Sequence, residues 1–191
     1  MRNNLYPIFI KAYAIDILVV GGGYVALEKL TFLFKSSPDA KVTLVAPFLR
    51  PETQDFIKNK AVVVINDTYK DSYLKDKHMV IATTDQPNTN LSVYKDCRER
   101  KIWVNVADNP PLCDFYMGGI VTKGQLKIAI STNGKSPTLA KRIREWLEAV
   151  LPEEIDELLD YLYKYRQRVQ GDFKDKVKAM NDITKKMISD D

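Results

Sequence analysis

The segment that most constrains this chain is Gly21-Gly22-Gly23-Tyr24-Val25-Ala26, a GxGxxA sequence placed directly after a β-branched run, Asp16 to Val20, and opening a helical stretch. Glycine at 21 permits a tight turn, glycine at 23 lets the backbone approach a pyrophosphate, and the small Ala26 allows a helix to pack closely on a strand. The helix N-terminus adds amide donors for an anion. The competing reading is a tight strand-to-helix turn and nothing more. No acidic residue ends the next strand, since Val45-Ala46-Pro47-Phe48 stands where an Asp or Glu would bind a ribose. Arg50, close by, is able to accept a 2′-phosphate, so the residues alone leave NAD against NADP open.

Around that turn, short β-branched runs alternate with helical stretches, the pattern of a parallel sheet with crossover helices and hence of an α/β fold. The strands are expected over Asp16 to Val20, Lys41 to Ala46, Ala61 to Asn66, Met79 to Thr83 and Ile102 to Val106. Helices are expected through Val25, Ala26, Leu30, Leu33 and Phe34, over Pro51 to Lys60, and over Asn88 to Arg100. Asn109-Pro110-Pro111 breaks the alternation. Two β runs, Tyr116 to Thr122 and Gln125 to Ser131, then flank Lys123-Gly124 and predict an antiparallel hairpin. A polar turn leads into a helix from Pro137 to about Val150, with Leu139, Ile143, Trp146, Leu147 and Val150 on one face. Pro152 and the acids after it start another, carrying Ile155, Leu158, Leu159, Leu162 and Val169. A last amphipathic stretch aligns Phe173, Val177, Met180, Ile183 and Met187.

Several function classes are excluded. No run of apolar residues is long enough to span a membrane, and the N-terminus, MRNNLYPIFIKAYAI, lacks the apolar core of a signal peptide. A cytoplasmic protein without membrane partners is the expectation. Two cysteines, Cys97 and Cys113, and one histidine do not assemble a conventional zinc site, so no bound metal is expected. Residues 152–191 hold 8 basic and 10 acidic residues, leaving 21 and 15 in residues 1–151. That basic body has neither the concentrated stripe nor the module of a nucleic-acid binder. A polyanionic small molecule suits it.

Two motifs fail on position. Tyr73 and Lys77 have YxxxK spacing but precede the fourth strand in a lysine-rich loop, and Gly134-Lys135-Ser136 lacks the first glycine of a P-loop, where Ala129 stands. The strand, polar turn and helix start around Lys135, with Lys141, Arg142 and Arg144, still form an anion-binding corner or, equally, an ordinary capped helix. Asp108 closes the fifth strand at the edge where open α/β sheets place ligands, as a general base or as a turn-former. His78 is expected to be solvent-exposed, and Cys113 to serve packing.

Leu5-Tyr6-Pro7-Ile8-Phe9, Val19-Val20-Gly21-Gly22-Gly23, Ala82-Thr83-Thr84-Asp85, Asn105-Val106-Ala107-Asp108, Leu112-Cys113-Asp114-Phe115 and Ile130-Ser131-Thr132-Asn133-Gly134-Lys135-Ser136-Pro137, in that order, resemble the precorrin-2 dehydrogenase family, the sirohaem synthase N-terminal region. The resemblance runs from residue 5 to about 150. It implies a Rossmann-type domain over residues 1–113, a dimerisation and tetrapyrrole-contacting region over 114–150 that carries the hairpin, and a helical C-terminal domain over 151–191. It further implies NAD-dependent oxidation of precorrin-2 to sirohydrochlorin by a homodimer, with ferrous iron as a substrate in those members that go on to make sirohaem. By position, Gly21, Gly22, Gly23, Tyr24, Val25, Pro47, Phe48, Thr84 and Asp85 would hold NAD. Asp108 would be catalytic, and Ser131, Thr132, Asn133, Gly134, Lys135 and Ser136 would face the tetrapyrrole. Tyr24 stands where an acid is frequent in the family and Glu28 where a base is frequent. The chain is too short to include the methyltransferase domain of fused sirohaem synthases, so methylation is not expected. The rival readings are a dinucleotide-sensing Rossmann protein without chemistry and a chelatase without dehydrogenase activity.

Overall fold

The computed structural model describes residues 3–185. Met187, expected on the last apolar stripe, lies outside them. Two compact units make up the chain, one ending at Gly118 and one beginning at Gly119.

The first unit is built on a parallel sheet of β1 (Asp16–Val20), β2 (Lys41–Val45), β3 (Val62–Ile65), β4 (Met79–Ala82) and β5 (Trp103–Val106), in the order β3-β2-β1-β4-β5. The side-chain period of two explains why both faces of β1 are apolar. Ile17 and Val19 point to one face, where Ala26, Leu30 and Phe34 of α1 (Tyr24–Ser36) and Ile57 of α2 (Pro51–Ile57) cover them. Leu18 and Val20 point to the other, against Val93 and Cys97 of α3 (Pro87–Glu99). Helices on both faces with β1 at the centre make a doubly wound sheet. Its strand order reverses between β1 and β4, and the carboxyl ends of those two strands flank the crevice where such sheets bind ligands.

Asp114 anchors the chain after β5. Its carboxylate accepts from the Val104 amide at 3.0 Å and from Arg98 Nη1 at 2.7 Å, while Asn105 Nδ2 donates to the Phe115 carbonyl at 2.8 Å. Phe115 and Met117 thereby pack on the sheet's core and stay with the first unit.

In the second unit, β6 (Gly119–Lys123) and β7 (Leu126–Ile130) form the expected hairpin, followed by α4 (Pro137–Val150), α5 (Ile155–Arg168) and α6 (Phe173–Lys185). The two-residue loop is Gly124-Gln125 rather than Lys123-Gly124, because Lys123 pairs with Leu126 and the left-handed φ of +55° falls on Gly124. The first strand also starts at Gly119 rather than Tyr116, and α5 begins at Ile155, with Val169 just past its end. On α4 the expected apolar face is present, but Leu139, Trp146 and Val150 are exposed, and Ala140 is the buried residue.

Candidate functional site at the carboxyl edge of the parallel sheet

The glycine turn is fixed from three sides. The Gly21 amide donates to the Val45 carbonyl at 2.9 Å. Beneath it the buried Thr83, at the end of β4, binds the Val20 carbonyl through both its amide and its hydroxyl, each at 2.8 Å. A Cβ on Gly21, whose φ is +113°, would stand 2.7 Å from that hydroxyl, and a Cβ on Gly22 would stand 2.5 Å from the Phe48 carbonyl oxygen. Gly21 and Gly22 are therefore required by the protein's own packing.

Gly23 differs, because a Cβ there would meet nothing within 4 Å. Its backbone is extended, and it caps α1 without any side-chain hydrogen bond to the helix amides and with no acidic residue in the first turn. An open cradle ahead of uncapped amides fits a pyrophosphate, whose charge the helix end favours. The fully buried Thr53 holds the turn from behind, its hydroxyl 3.4 Å from the Gly23 carbonyl oxygen. Thr83 and Thr53 are supports that sequence reading missed. Both act through contacts between segments distant in the chain, and no local pattern marks them.

The segment after β2 lies on the same edge. Pro47 and Phe48 are exposed, Phe48 by 70%. The Arg50 amide donates to the Gly22 carbonyl at 3.1 Å, and the Arg50 guanidinium stacks 3.6 Å above the Tyr24 ring. After β4, Thr84 is half-buried in a mutual pairing with Asn90, its hydroxyl 2.7 Å from Asn90 Oδ1 and its carbonyl accepting from Asn90 Nδ2 at 2.9 Å. Asp85 beside it is exposed.

Asp108 follows β5 on the same edge, where the Ala107 amide donates to the Ala82 carbonyl at 2.9 Å. Its side chain is exposed and its φ is +58°, a left-handed conformation uncommon outside glycine. Such backbone strain costs about 1–3 kcal/mol and concentrates at functional sites. Cys113, nearby in the chain, has its thiol pushed up by burial, as does Cys97, up to about 12. Neither is a thiolate nucleophile.

The structure thus brings Gly21 to Val25, Pro47, Phe48, Thr84, Asp85 and Asp108 to one sheet edge. Ser131 to Ser136 lie in the second unit, on the turn between β7 and α4. Asn133 and Gly134 are both left-handed there, with φ of +53° and +74°. Ser131 Oγ accepts from the Asn133 amide at 3.2 Å, and Ser136 Oγ caps α4 through the Leu139 amide at 3.2 Å. Lys135 is exposed at the tip.

The YxxxK pair is structural. Tyr73 donates to Asp67 at 2.5 Å and Lys77 to Thr43 at 2.8 Å, while Lys70 and Tyr73 together hold the Asp67 carboxyl down to about 2. Among the described residues, no group of three or more His, Cys, Asp and Glu is placed to hold a metal ion, and no helix is long and apolar enough to cross a membrane.

Comparison with known proteins agrees with this geometry. Residues 8–119 match the family described as "Putative NAD(P)-binding", and residues 123–149 match a "Sirohaem biosynthesis protein central" segment. Siroheme synthase of Psychrobacter sp. (strain PRwf-1) is 36% identical over 176 residues, 92% of this chain and 34% of that protein. Siroheme synthase of Pseudoalteromonas translucida (strain TAC 125) is 38% identical over 168 residues, 88% of this chain and 35% of that protein. The chain spans about a third of the length of these relatives. The solved structure of SirC, precorrin-2 dehydrogenase, shares the fold, with a TM-score of 0.71, 24% identity and coverage of 97% of this chain and 90% of that one. The chain belongs to the family described as "Putative NAD(P)-binding", with a sirohaem-biosynthesis central segment matched behind it.

Proposed function

We propose that this chain oxidises precorrin-2 to sirohydrochlorin with NAD, as a step of sirohaem synthesis. Asp108 carries the reading. It is an exposed carboxylate held in a left-handed backbone on the same sheet edge as the open Gly23 cradle. Bound NAD supplies the hydride acceptor.

The chain's own residues supply position and a base. Gly23 and the first amides of α1 take the pyrophosphate, while Tyr24, Val25, Pro47, Phe48, Thr84 and Asp85 border the cofactor. Oxidation breaks one C–H bond with loss of a hydride and releases a second hydrogen as a proton, and the Asp108 carboxylate accepts that proton. The Ser131 to Ser136 turn, with Lys135 at its tip, suits the acetate and propionate rim of the macrocycle. The working form is a homodimer.

Replacing Asp108 tests the role. Asp108→Ala should lower sirohydrochlorin formation by roughly 10²- to 10⁴-fold while NAD affinity changes little. The variant should melt only slightly below the parent, since alanine tolerates the left-handed backbone less well than aspartate. Near-parental turnover rules out the base, and a joint fall in affinity, melting temperature and turnover marks a turn residue instead. Iron insertion, assayed on the same preparation with ferrous ion and sirohydrochlorin, shows whether one carboxylate serves chelation as well.

A further inference from the structure

We propose that Asn105 and Cys113 are positioning residues for Asp108, the Cys113 thiol acting as a hydrogen-bonded clasp across the turn that aims the Asp108 carboxylate. The inference rests on the oxidation proposed above, in which Asp108 is the base, and deepens it.

The carboxylate is not placed by bonds of its own. Among the described residues it has no hydrogen-bond partner, so its direction follows from the backbone of its turn. That turn runs from Val106 to Asn109 and is closed by the Asn109 amide, which donates to the Val106 carbonyl at 3.1 Å. Asp108 is its third residue, with a φ of +58° in the left-handed region that turns more often give to glycine or asparagine. An exposed residue in such a conformation relaxes unless its surroundings hold it.

The chain supplies the hold by doubling back. A short 3-10 turn, Pro110–Leu112, brings Cys113 against the Asp108 turn, with the Leu112 amide on the Asn109 carbonyl at 2.9 Å and the Cys113 amide on the Pro110 carbonyl at 3.1 Å. Cys113 Sγ then lies 3.2 Å from the Val106 carbonyl oxygen and 3.3 Å from that of Asn109, the first and last residues of the turn. One S–H shared between two carbonyls is a weak donor, but both acceptors belong to the turn, so either bond restrains it. The sulfur is fixed from its other side as well. The buried Asn105 donates through Nδ2 to Cys113 Sγ at 3.4 Å and to the Phe115 carbonyl at 2.8 Å. The thiol hydrogen is left to face the carbonyls. Burial pushes that thiol up, so it stays protonated near neutral pH and keeps the hydrogen it donates.

Turnover of precorrin-2, NAD affinity and melting temperature, measured on the full chain for the parent, Cys113→Val and Cys113→Ser, separate a clasp from packing. Cys113→Val fills the space without a donor and should lower kcat about tenfold or more, the scale on which small displacements of a catalytic group act. Its NAD affinity should stay parental. Cys113→Ser restores a donor and should turn over within a few-fold of the parent. Adding Cys113→Val to Asp108→Ala should cost nothing further, because the clasp works only through that carboxylate. Hydrogen exchange needs no substrate, and the Asn109 amide should exchange faster in Cys113→Val than in the parent or in Cys113→Ser. The proposal is overturned if Cys113→Val turns over like the parent, or if Cys113→Ser is as slow as Cys113→Val. It is equally overturned if the double variant falls well below Asp108→Ala, or if turnover, NAD affinity and melting temperature fall together in Cys113→Val. A parent that forms no sirohydrochlorin sinks the oxidation reading beneath it, whereas unchanged Asn109 exchange in Cys113→Val of an active parent sinks the clasp alone.

Discussion

At the scale of single residues, the three consecutive glycines do different work. The motif itself was readable because its spacing is local, but why each glycine is needed was not. Gly21 and Gly22 answer to Thr83 and Phe48, which reach the turn only through the register of β1 with β4 and the path of the chain after β2. Gly23 answers to nothing in the protein. Gly22→Ala should therefore cost about 1–3 kcal/mol of stability by overpacking, seen as a lowered melting temperature. Gly23→Asp should melt like the parent and lose NAD binding, because its carboxylate would occupy the cradle. Unchanged NAD affinity in folded Gly23→Asp would remove the pyrophosphate from this turn. The Tyr24–Arg50 stack was equally hidden: the sequence places Arg50 near the second strand's end, and only the fold lays it on a ring 26 residues away.

Element by element, periodicity located the strands of the parallel sheet to within a residue or so at each end, because each is a short run rich in β-branched and apolar residues between turn formers. The hairpin was displaced by one residue, since Lys123-Gly124 and Gly124-Gln125 offer nearly the same turn chemistry and only the cross-strand register separates them. That register is held from outside the hairpin. Asp156 of α5 accepts from the Gln125 amide at 2.8 Å, and a Cβ on Gly124 would stand 2.3 Å from the Asp156 carboxyl carbon. Gly124→Ala combines a left-handed alanine with that clash, so it should destabilise the second unit by at least about 1 kcal/mol. Thermal or urea unfolding would show it, and an unchanged midpoint would mean that α5 does not brace the hairpin turn.

For the whole molecule, the residues expected at the cofactor and those expected at the substrate fall in two different units. The first holds the proposed cofactor edge and Asp108. The second holds the Ser131 to Ser136 turn and an α4 whose Leu139, Trp146 and Val150 face outward, apolar surface that a monomer would leave wet. Amphipathic spacing revealed that face but not what covers it, because spacing is the same for a core helix and an interface helix. A second copy is the proposed cover. Light scattering at micromolar concentration should give about twice 21.9 kDa, and Trp146→Glu should shift it toward the single mass; a parent monomer that still turns over precorrin-2 would contradict the dimer.

Anaerobic incubation of the purified chain with precorrin-2 and NAD tests the proposed oxidation. Sirohydrochlorin and reduced nicotinamide should appear in equal amounts, both dependent on the protein and both strongly reduced in Asp108→Ala. NAD binding with neither product formed would rule out the oxidation and leave a dinucleotide-sensing protein in its place.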